Sequence, residues 1–469
     1  MPYQKRRLVS RRNVMKSLGA AGVVGLAGCS GDNNGATTGT DGGSNAGGTT
    51  IELWSLIHGQ SQIANDFLEQ TIQQYEEETN NSVRWVKENT QNVQNGNWRQ
   101  RMNQGNIPQL FNTAASRTGA FVADDLITPY SEIIPELDDE VVSGTEWADD
   151  VLNNIYRGFE GDSRKIAPLG FVMQEPFVAR ADHFEEAGLD IESDFPPESY
   201  EELIDVATTL QEEGPGDYGF QVHGSPGDLM DEIMPTWSHS LGGTEGLYVN
   251  EDWDDTLLDS DAWKTTLQQN VEIHRDLELS APNSASTSDE DACRLLIDGS
   301  ASMSQVGMLN YGLLAGQAPD MIEDGTLQFG PSWEGESGYR GEFNVQSIAM
   351  GAQPPDMTDS TWENKRAATV EFLNLLFSSE IQQQVFDAWG LLPYNQNVWE
   401  DVPRKENGIV ETAITTAEGS EYGWQAHPDM ADIQYNIPGP VFQQAMTGEL
   451  SPEEACDRAA QQIRQQVFR

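Results

Sequence analysis

Thr50-Ile51-Glu52-Leu53-Trp54-Ser55-Leu56 is a short, mainly apolar run of the kind that forms a buried strand. Behind it Ala64, Phe67, Leu68, Thr71, Ile72 and Tyr75 recur at helical spacing, and Val83 to Val86 reads as a second strand. A helical stretch around Trp98 to Met102 and the run Gln109 to Thr113 continue the alternation. Successive β-α-β units of this kind predict the α/β class, on a mainly parallel sheet. Ligands of such sheets gather at the carboxyl ends of the strands, so the residues that follow each strand are the first candidates for a site.

Downstream the same patterns recur. Ile166 to Ala179 is another apolar strand stretch, followed by a helical Asp182 to Ala187 and then Gly188. Pro196-Pro197-Glu198-Ser199 leads into Tyr200, Leu203, Ile204, Ala207 and Leu210, with Ser199 and Glu202 spaced as a capping box. Ala292 to Ile297 is helical, Asp298-Gly299 turns, and Ala301 to Val306 is a strand. Ala367, Val370, Leu373 and Phe377 form a late amphipathic helix. Ser451-Pro452-Glu453-Glu454 is a second capping box with proline at the first helical position. Cys456 shares the apolar face of that helix with Ala459, Ala460, Ile463 and Val467, and Cys293 lies beside Leu296 and Ile297. Both read as small buried hydrophobes rather than a disulfide, and neither has metal-ligand spacing.

Upstream of Thr50 the chain changes character. Ser30 to Thr50 is almost all Gly, Thr, Ser, Asn, Ala and Asp, a flexible tether with a Gaussian span of about 25 Å. Before it, Ser10-Arg11-Arg12-Asn13-Val14-Met15-Lys16 precedes an apolar run from Leu18 to Gly28. The run is shorter than the roughly 20 residues of a membrane span, and with its basic flank it reads as an export signal. Its order resembles a twin-arginine signal, and Leu26-Ala27-Gly28-Cys29 resembles a lipobox whose Cys29 becomes the lipidated first residue. The expected product is a body held on the extracellular face of the cell membrane.

The chain has 469 residues, room for two or three compact units. Its 76 acidic residues against 26 basic ones give a net charge of −50; without the six cations of the first 28 residues, 20 basic remain and the balance is −56. Such a surface repels nucleic acid. It also repels itself until salt screens it, and with only seven lysines the composition resembles that of salt-loving archaea, so a molar-salt habitat is expected.

Six blocks then fall in a recognisable order: Ile51-Glu52-Leu53-Trp54 before a helix ending in Tyr75-Glu76-Glu77-Glu78-Thr79; Gly105-Asn106-Ile107-Pro108-Gln109-Leu110-Phe111; Phe184-Glu185-Glu186-Ala187-Gly188-Leu189 with Pro196 to Leu203; Ile297 to Met303; Gly390-Leu391-Leu392-Pro393; and Thr447 to Ala455. Over nearly all of residues 50–469 the chain resembles the extracellular solute-binding proteins of ABC importers, in the group that includes sugar and oligosaccharide binders. Gln109 stands where the group usually has Asp, and Gln174 to Arg180 lacks the common Tyr-Asn-Lys. The resemblance implies a two-lobed, periplasmic-binding-protein-like α/β fold of type II, like maltose-binding protein, with a hinge and an interlobe cleft. Residues 1–28 would be the signal and 29–50 the lipidated cysteine and tether. Lobe 1 would comprise 51–168 and 332–378, and lobe 2 172–330 and 380–469. It further implies a monomer that binds a small solute, in the first place a carbohydrate, and delivers it to an ABC permease, with no cofactor and no metal.

A sugar presents hydroxyls at its rim and an apolar face, so its site calls for planar polar side chains and an aromatic platform. Strand ends and loops facing the expected cleft supply Trp54, His58, Gln60, Asn112, Thr113, Gln174 and Glu175, and Gly- or Ser-rich loops supply Trp237, Trp333, Tyr339 and Asn344. The competing reading for each is packing within a lobe, as expected for Trp98, Trp147, Trp263 and Trp389. Only Arg117, Arg180 and Arg340 lie near the cleft loops as partners for an anion. The rival function is a surface-tethered glycoside hydrolase, whose paired carboxylates would not stand out in so acidic a chain; a receptor module feeding a sensor is a third. Against catalysis, there is no G-x-S-x-G elbow, H-E-x-x-H pair or P-loop, and the six histidines are scattered.

Overall fold

The computed structural model describes residues 48–55, 62–87, 97–148, 154–159, 167–172, 175–231, 233–335, 337, 340, 344–402, 407–419 and 425–468. The expected signal, Cys29, most of the tether, His58, Gln60, Gln174 and Tyr339 lie outside the described residues.

The strands are β1 (Thr50–Ser55), β2 (Ser82–Lys87), β3 (Leu110–Ala114), β4 (Ala167–Val172), β5 (Phe177–Arg180), β6 (Met303–Gln305), β7 (Leu327–Gly330), β8 (Asn344–Met350) and β9 (Leu392–Pro393). The helices that matter below are α1 (Gln62–Thr79), α2 (Ala115–Ala123), α3 (Tyr200–Glu213), α4 (Pro226–Asp231), α5 (Ile233–Gly242), α6 (Asp289–Asp298), α7 (Asp359–Leu376), α8 (Ser379–Trp389) and α9 (Pro452–Gln466).

Among the described residues the strands make two sheets, one of six in the order β2-β1-β3-β8-β4-β9 and one of three in the order β6-β5-β7. The opening β-α-β reading holds: β1 pairs in parallel with β2, Thr50 opposite Ser82, and with β3, Leu53 opposite Leu110. The mainly parallel sheet does not. β8 runs antiparallel to both β3 and β4, β9 runs antiparallel to β4, and every pair of the second sheet is antiparallel. The cause is the excursion between the sheets, because β4 leads the chain out of the first sheet and β8 leads it back in at the same end. The apolar run over 166–179 is accordingly two strands in different sheets, not one. Pro176, which has no backbone N–H to give to a ladder, lies between them.

Late in the chain β9 returns to the first sheet and pairs with β4, Gly170 opposite Pro393. α8 packs against α1 and carries the chain past 380 on the first sheet's side, until Gly390, in a left-handed conformation at φ 67°, turns it toward β9.

α1 buries Ala64, Phe67, Leu68, Thr71, Ile72 and Tyr75, the stripe its spacing predicts, and the Tyr75 hydroxyl donates to the Ala368 carbonyl of α7 at 2.7 Å. The Ser451 box is complete: its hydroxyl accepts from the Glu454 amide and the Glu454 carboxylate accepts from the Ser451 amide. The Ser199 box is half formed, since Ser199 caps Glu202 but the Glu202 carboxylate accepts from the Glu198 amide instead.

Two hydrophobic clusters result. The first surrounds the six-stranded sheet with Leu53, Trp54, Tyr75, Trp98 and Phe111, then continues through Phe372, Phe386 and Tyr311 to Cys293, Leu327 and Phe329. It ends on one face of β5 at Val178, while Phe177 and Ala179, one residue to either side, point into the second cluster as strand alternation requires. The second holds Trp237, Trp263, Phe442, Cys456 and Ile463. Cys293 and Cys456 are free and fully buried, as their helical faces predict, and burial pushes both thiols up.

Candidate functional site

β3 runs into α2 without a loop, so Asn112 and Thr113 at the strand's carboxyl end and Ser116 and Arg117 in the first helical turn form one continuous ledge. Ala114 occupies the N-cap and offers no side-chain bond to the helix start. Asn112 donates its amide to the Ser347 carbonyl at 3.3 Å. The buried Asn112 Oδ1, Thr113 Oγ1, Ser116 Oγ and Arg117 Nε have no hydrogen-bond partner among the described residues. Each such atom costs roughly 1–3 kcal/mol, and buried polar atoms are normally paired. Four within six residues mark a place fitted for the polar groups of something else.

Opposite this ledge stand α4 and the π-helical turn Asp432–Asn436, whose residues Met230 and Ile433 belong to the second cluster. Arg117 Nη2 is 3.8 Å from Asp231 Oδ2 and 3.4 Å from the Tyr435 hydroxyl. Its guanidinium lies 5.7 Å from the centre of the Tyr435 ring. Tyr435 donates its hydroxyl to Asp231, and Gln434 donates to the same carboxylate at 3.3 Å. Burial drives the Asp231 carboxyl up to about 6 against the pull of Arg117. For Arg117 burial works against the charge, but Tyr435 and Asp231 outweigh it and its pKa rises. A cation on the first sheet's helix is thus already matched by a carboxylate and a phenol from the other lobe.

Beside them lies a second group. Glu175, His223 and Asp289 are buried, with one donor atom of each within 4.8 Å of the others. Glu175 sits on the crossing between β4 and β5, His223 follows the strand-like bridge at Gln221, and Asp289 opens α6. His223 Nε2 donates to the Gln305 carbonyl at 3.1 Å and lies 3.5 Å from Glu175 Oε2. Burial alone would lower the imidazole, yet the bond and charge of Glu175 raise it to about 9. Asp289 accepts from the Gly307 amide at 3.3 Å and from Asn310. The donor types would suit a metal ion, but the nitrogen that faces Glu175 is committed to a carbonyl and keeps its proton through neutral pH. The group therefore fits a buried imidazolium held between carboxylates, not a metal.

The residues expected from sequence are thus only partly gathered. Asn112, Thr113 and Glu175 are in this region. Trp54 is closed into the first cluster, its ring 5.5 Å from Trp98 and covered at 3.8 Å by the Arg101 guanidinium. Trp237 is not in a loop: it lies mid-way along α5, 0% exposed, and Gly242-Gly243 ends that helix instead of framing a turn. Trp333, 5% exposed, packs 4.8 Å from Trp237 and 5.5 Å from Phe177, so the two tryptophans spend their faces on each other and on the lobe core. Asn344 is the first residue of β8. Sequence reasoning noticed Arg117 only as one of three nearby cations, and it missed Ser116, His223, Asp231 and Tyr435. Asp231 has no signal among 76 acidic residues, and Tyr435 lies in a turn with no motif.

Residues 59–383 match the family of bacterial extracellular solute-binding proteins. This chain belongs to that family. Its fold is that of T. maritima MalE3, solved with maltose: TM-score 0.70 at 14% identity, covering 89% of this chain and 100% of that one. The GacH receptor of Streptomyces glaucescens, solved unliganded and with acarbose, gives 0.69 at 17% over 89% and 98%. A solute-binding protein from Thermotoga lettingae, bound with alpha-D-tagatose, gives 0.68 at 16% over 89% and 99%. No curated protein matches significantly. The solute-binding protein therefore has the two-lobed type II architecture, is a binder rather than an enzyme, and by family works outside the cell membrane.

Proposed function

We propose that this solute-binding protein captures a sugar or oligosaccharide between its lobes and hands it to an ABC permease, tethered by a lipid on Cys29 after twin-arginine export. The observation that carries the ligand class is the ledge at Asn112, Thr113, Ser116 and Arg117, whose orphaned buried donors and acceptors suit a ligand rich in hydroxyls. Arg117 is already matched by Asp231, so no net positive charge is left over for a phosphate, which disfavours anions. In this reading Glu175 and Tyr435 complete the wall from the second lobe, and His58, Gln60, Gln174, Tyr339 and Asn344 are further candidate contacts read from the sequence. The lipid and export assignments rest on Leu26 to Cys29 and on Arg11-Arg12.

A thermal-shift screen in 2 M KCl of mono- and oligosaccharides, polyols and sugar phosphates tests the ligand class. A neutral sugar should stabilise the protein, and Arg117→Gln should abolish that shift with the fold intact. Stabilisation by phosphates alone would overturn the reading.

A further inference from the structure

Residues 250–255 fold back on themselves between Val249 and Thr256, which form an antiparallel bridge. The Asn250 side chain holds the turn, accepting from the Asp254 and Asp255 amides at 3.0 and 3.3 Å and donating to the Asp254 carboxylate at 2.8 Å. The base of the loop is fixed to the second lobe. Arg464 of α9 donates to Asp255 at 2.6 Å and to Asp259 at 2.6 and 3.0 Å, and the Gln425 side chain bonds both the amide and the carbonyl of Val249 at 3.0 Å.

The tip reaches the other lobe. Trp253 has φ 55°, in the left-handed region that a bulky side chain rarely enters and that only surrounding contacts can maintain. Its ring meets Phe159 edge-on at 5.6 Å and packs against both core clusters, with His427 behind it at 5.5 Å. The 154–159 segment belongs with the first sheet, since the Tyr156 hydroxyl bonds Thr118 of α2. A Cβ at Gly158 would fall 2.2 Å from the indole, so the ring lies on a stretch of backbone that glycine leaves open. Arg157 and Glu251 add an ion pair at 3.2 Å, but Glu251 is 70% exposed and such a pair contributes little.

We infer that the 250–255 loop is a clasp that holds the two lobes together in the ligand-free protein, with Trp253 as its tooth and Gly158 as its seat. A protein clasped in this way already spends much of its time closed, so a ligand has less of the closure to drive.

Small-angle X-ray scattering of the ligand-free protein in 2 M KCl tests the clasp. The parent should scatter as the closed form. Trp253→Ala, which removes one aromatic contact, should raise the open-to-closed ratio about fivefold and increase the radius of gyration. Gly158→Val, which fills the seat from the other lobe without touching the loop, should do the same, while Glu251→Gln should leave the radius unchanged. Phe159→Ala substitutes for either of the first two if circular dichroism shows it unfolded. A lower melting temperature with an unchanged radius would make Trp253 ordinary packing, and an open parent would leave the clasp nothing to hold; either result overturns the inference. The sugar reading is untouched by both, since no ligand is present.

Discussion

Raising the pH from 6 to 10 removes the positive charge that pairs His223 with Glu175, and the structure sets the size of the effect. The imidazole has its ordinary value of 6.5 in the unfolded chain and about 9 in the fold. A basic group raised in this way contributes stability that is fully present below about pH 6.5 and is lost as pH climbs through 9. At 1.36 kcal/mol for each unit, the contribution is about 3 kcal/mol. Both groups are fully buried, so solvent screening takes little from it. Chemical denaturation in 2 M KCl at half-unit pH steps should show the parent losing roughly that amount between pH 7 and 10. In Glu175→Gln the imidazole loses the partner that lifts it, burial then favours the neutral ring, and the decline over this window should disappear. The gap between the two proteins should be widest near pH 6.5 and close by pH 10. Parallel curves from pH 6.5 to 10 would show that His223 is neutral in the native protein and that the argument for a buried imidazolium is wrong.

Trp237→Ala should lower stability by about 3–5 kcal/mol, the range for emptying a buried aromatic site, and leave the dissociation constant for the screened sugar within twofold by calorimetry. In Asp231→Asn the carboxyl that folding raises to about 6 is gone. Its raised value makes the parent lose stability as pH rises from about 4 to 6, so the variant should melt higher than the parent at pH 7 and draw level with it below pH 4, as calorimetric melting can follow. Cys29→Ser should move the protein from the membrane fraction to the medium or leave it unprocessed. With −56 on the chain beyond the signal, the melting temperature should climb steeply between 0.1 and 2 M KCl; a flat profile would mean that the acidic surface is compensated locally.

Local patterns were legible where one physical requirement controls the sequence. The α1 stripe must face a core, so its spacing shows; Ser451 and Glu454 must satisfy each other's amides, so the box shows; a buried cysteine must share an apolar face, so Cys293 and Cys456 show. What could not be read depends on which elements meet. Both halves of the 166–179 run are apolar because both are buried, and only Pro176 hints that they belong to different sheets. Trp237 has glycines five residues on, a pattern that serves equally for a loop or for a helix end. The site is illegible for the same reason: Arg117, Asp231 and Tyr435 are separated by more than a hundred residues at each step, and nothing in their flanks announces the encounter. The ledge at Asn112 and Thr113 was accessible because it follows a strand directly, where the general rule for α/β sheets already points.

The two native cysteines have a use that their silence in the mechanism conceals. Cys293 lies in the first core and Cys456 in the second, each free, fully buried and with its thiolate suppressed. A thiol reagent can therefore reach either one only when its own core comes apart, so the rate of modification at each position is a stopwatch for that core. Equal rates would show that the two cores unravel as one cooperative body, and unequal rates would show which core yields first, with no label added.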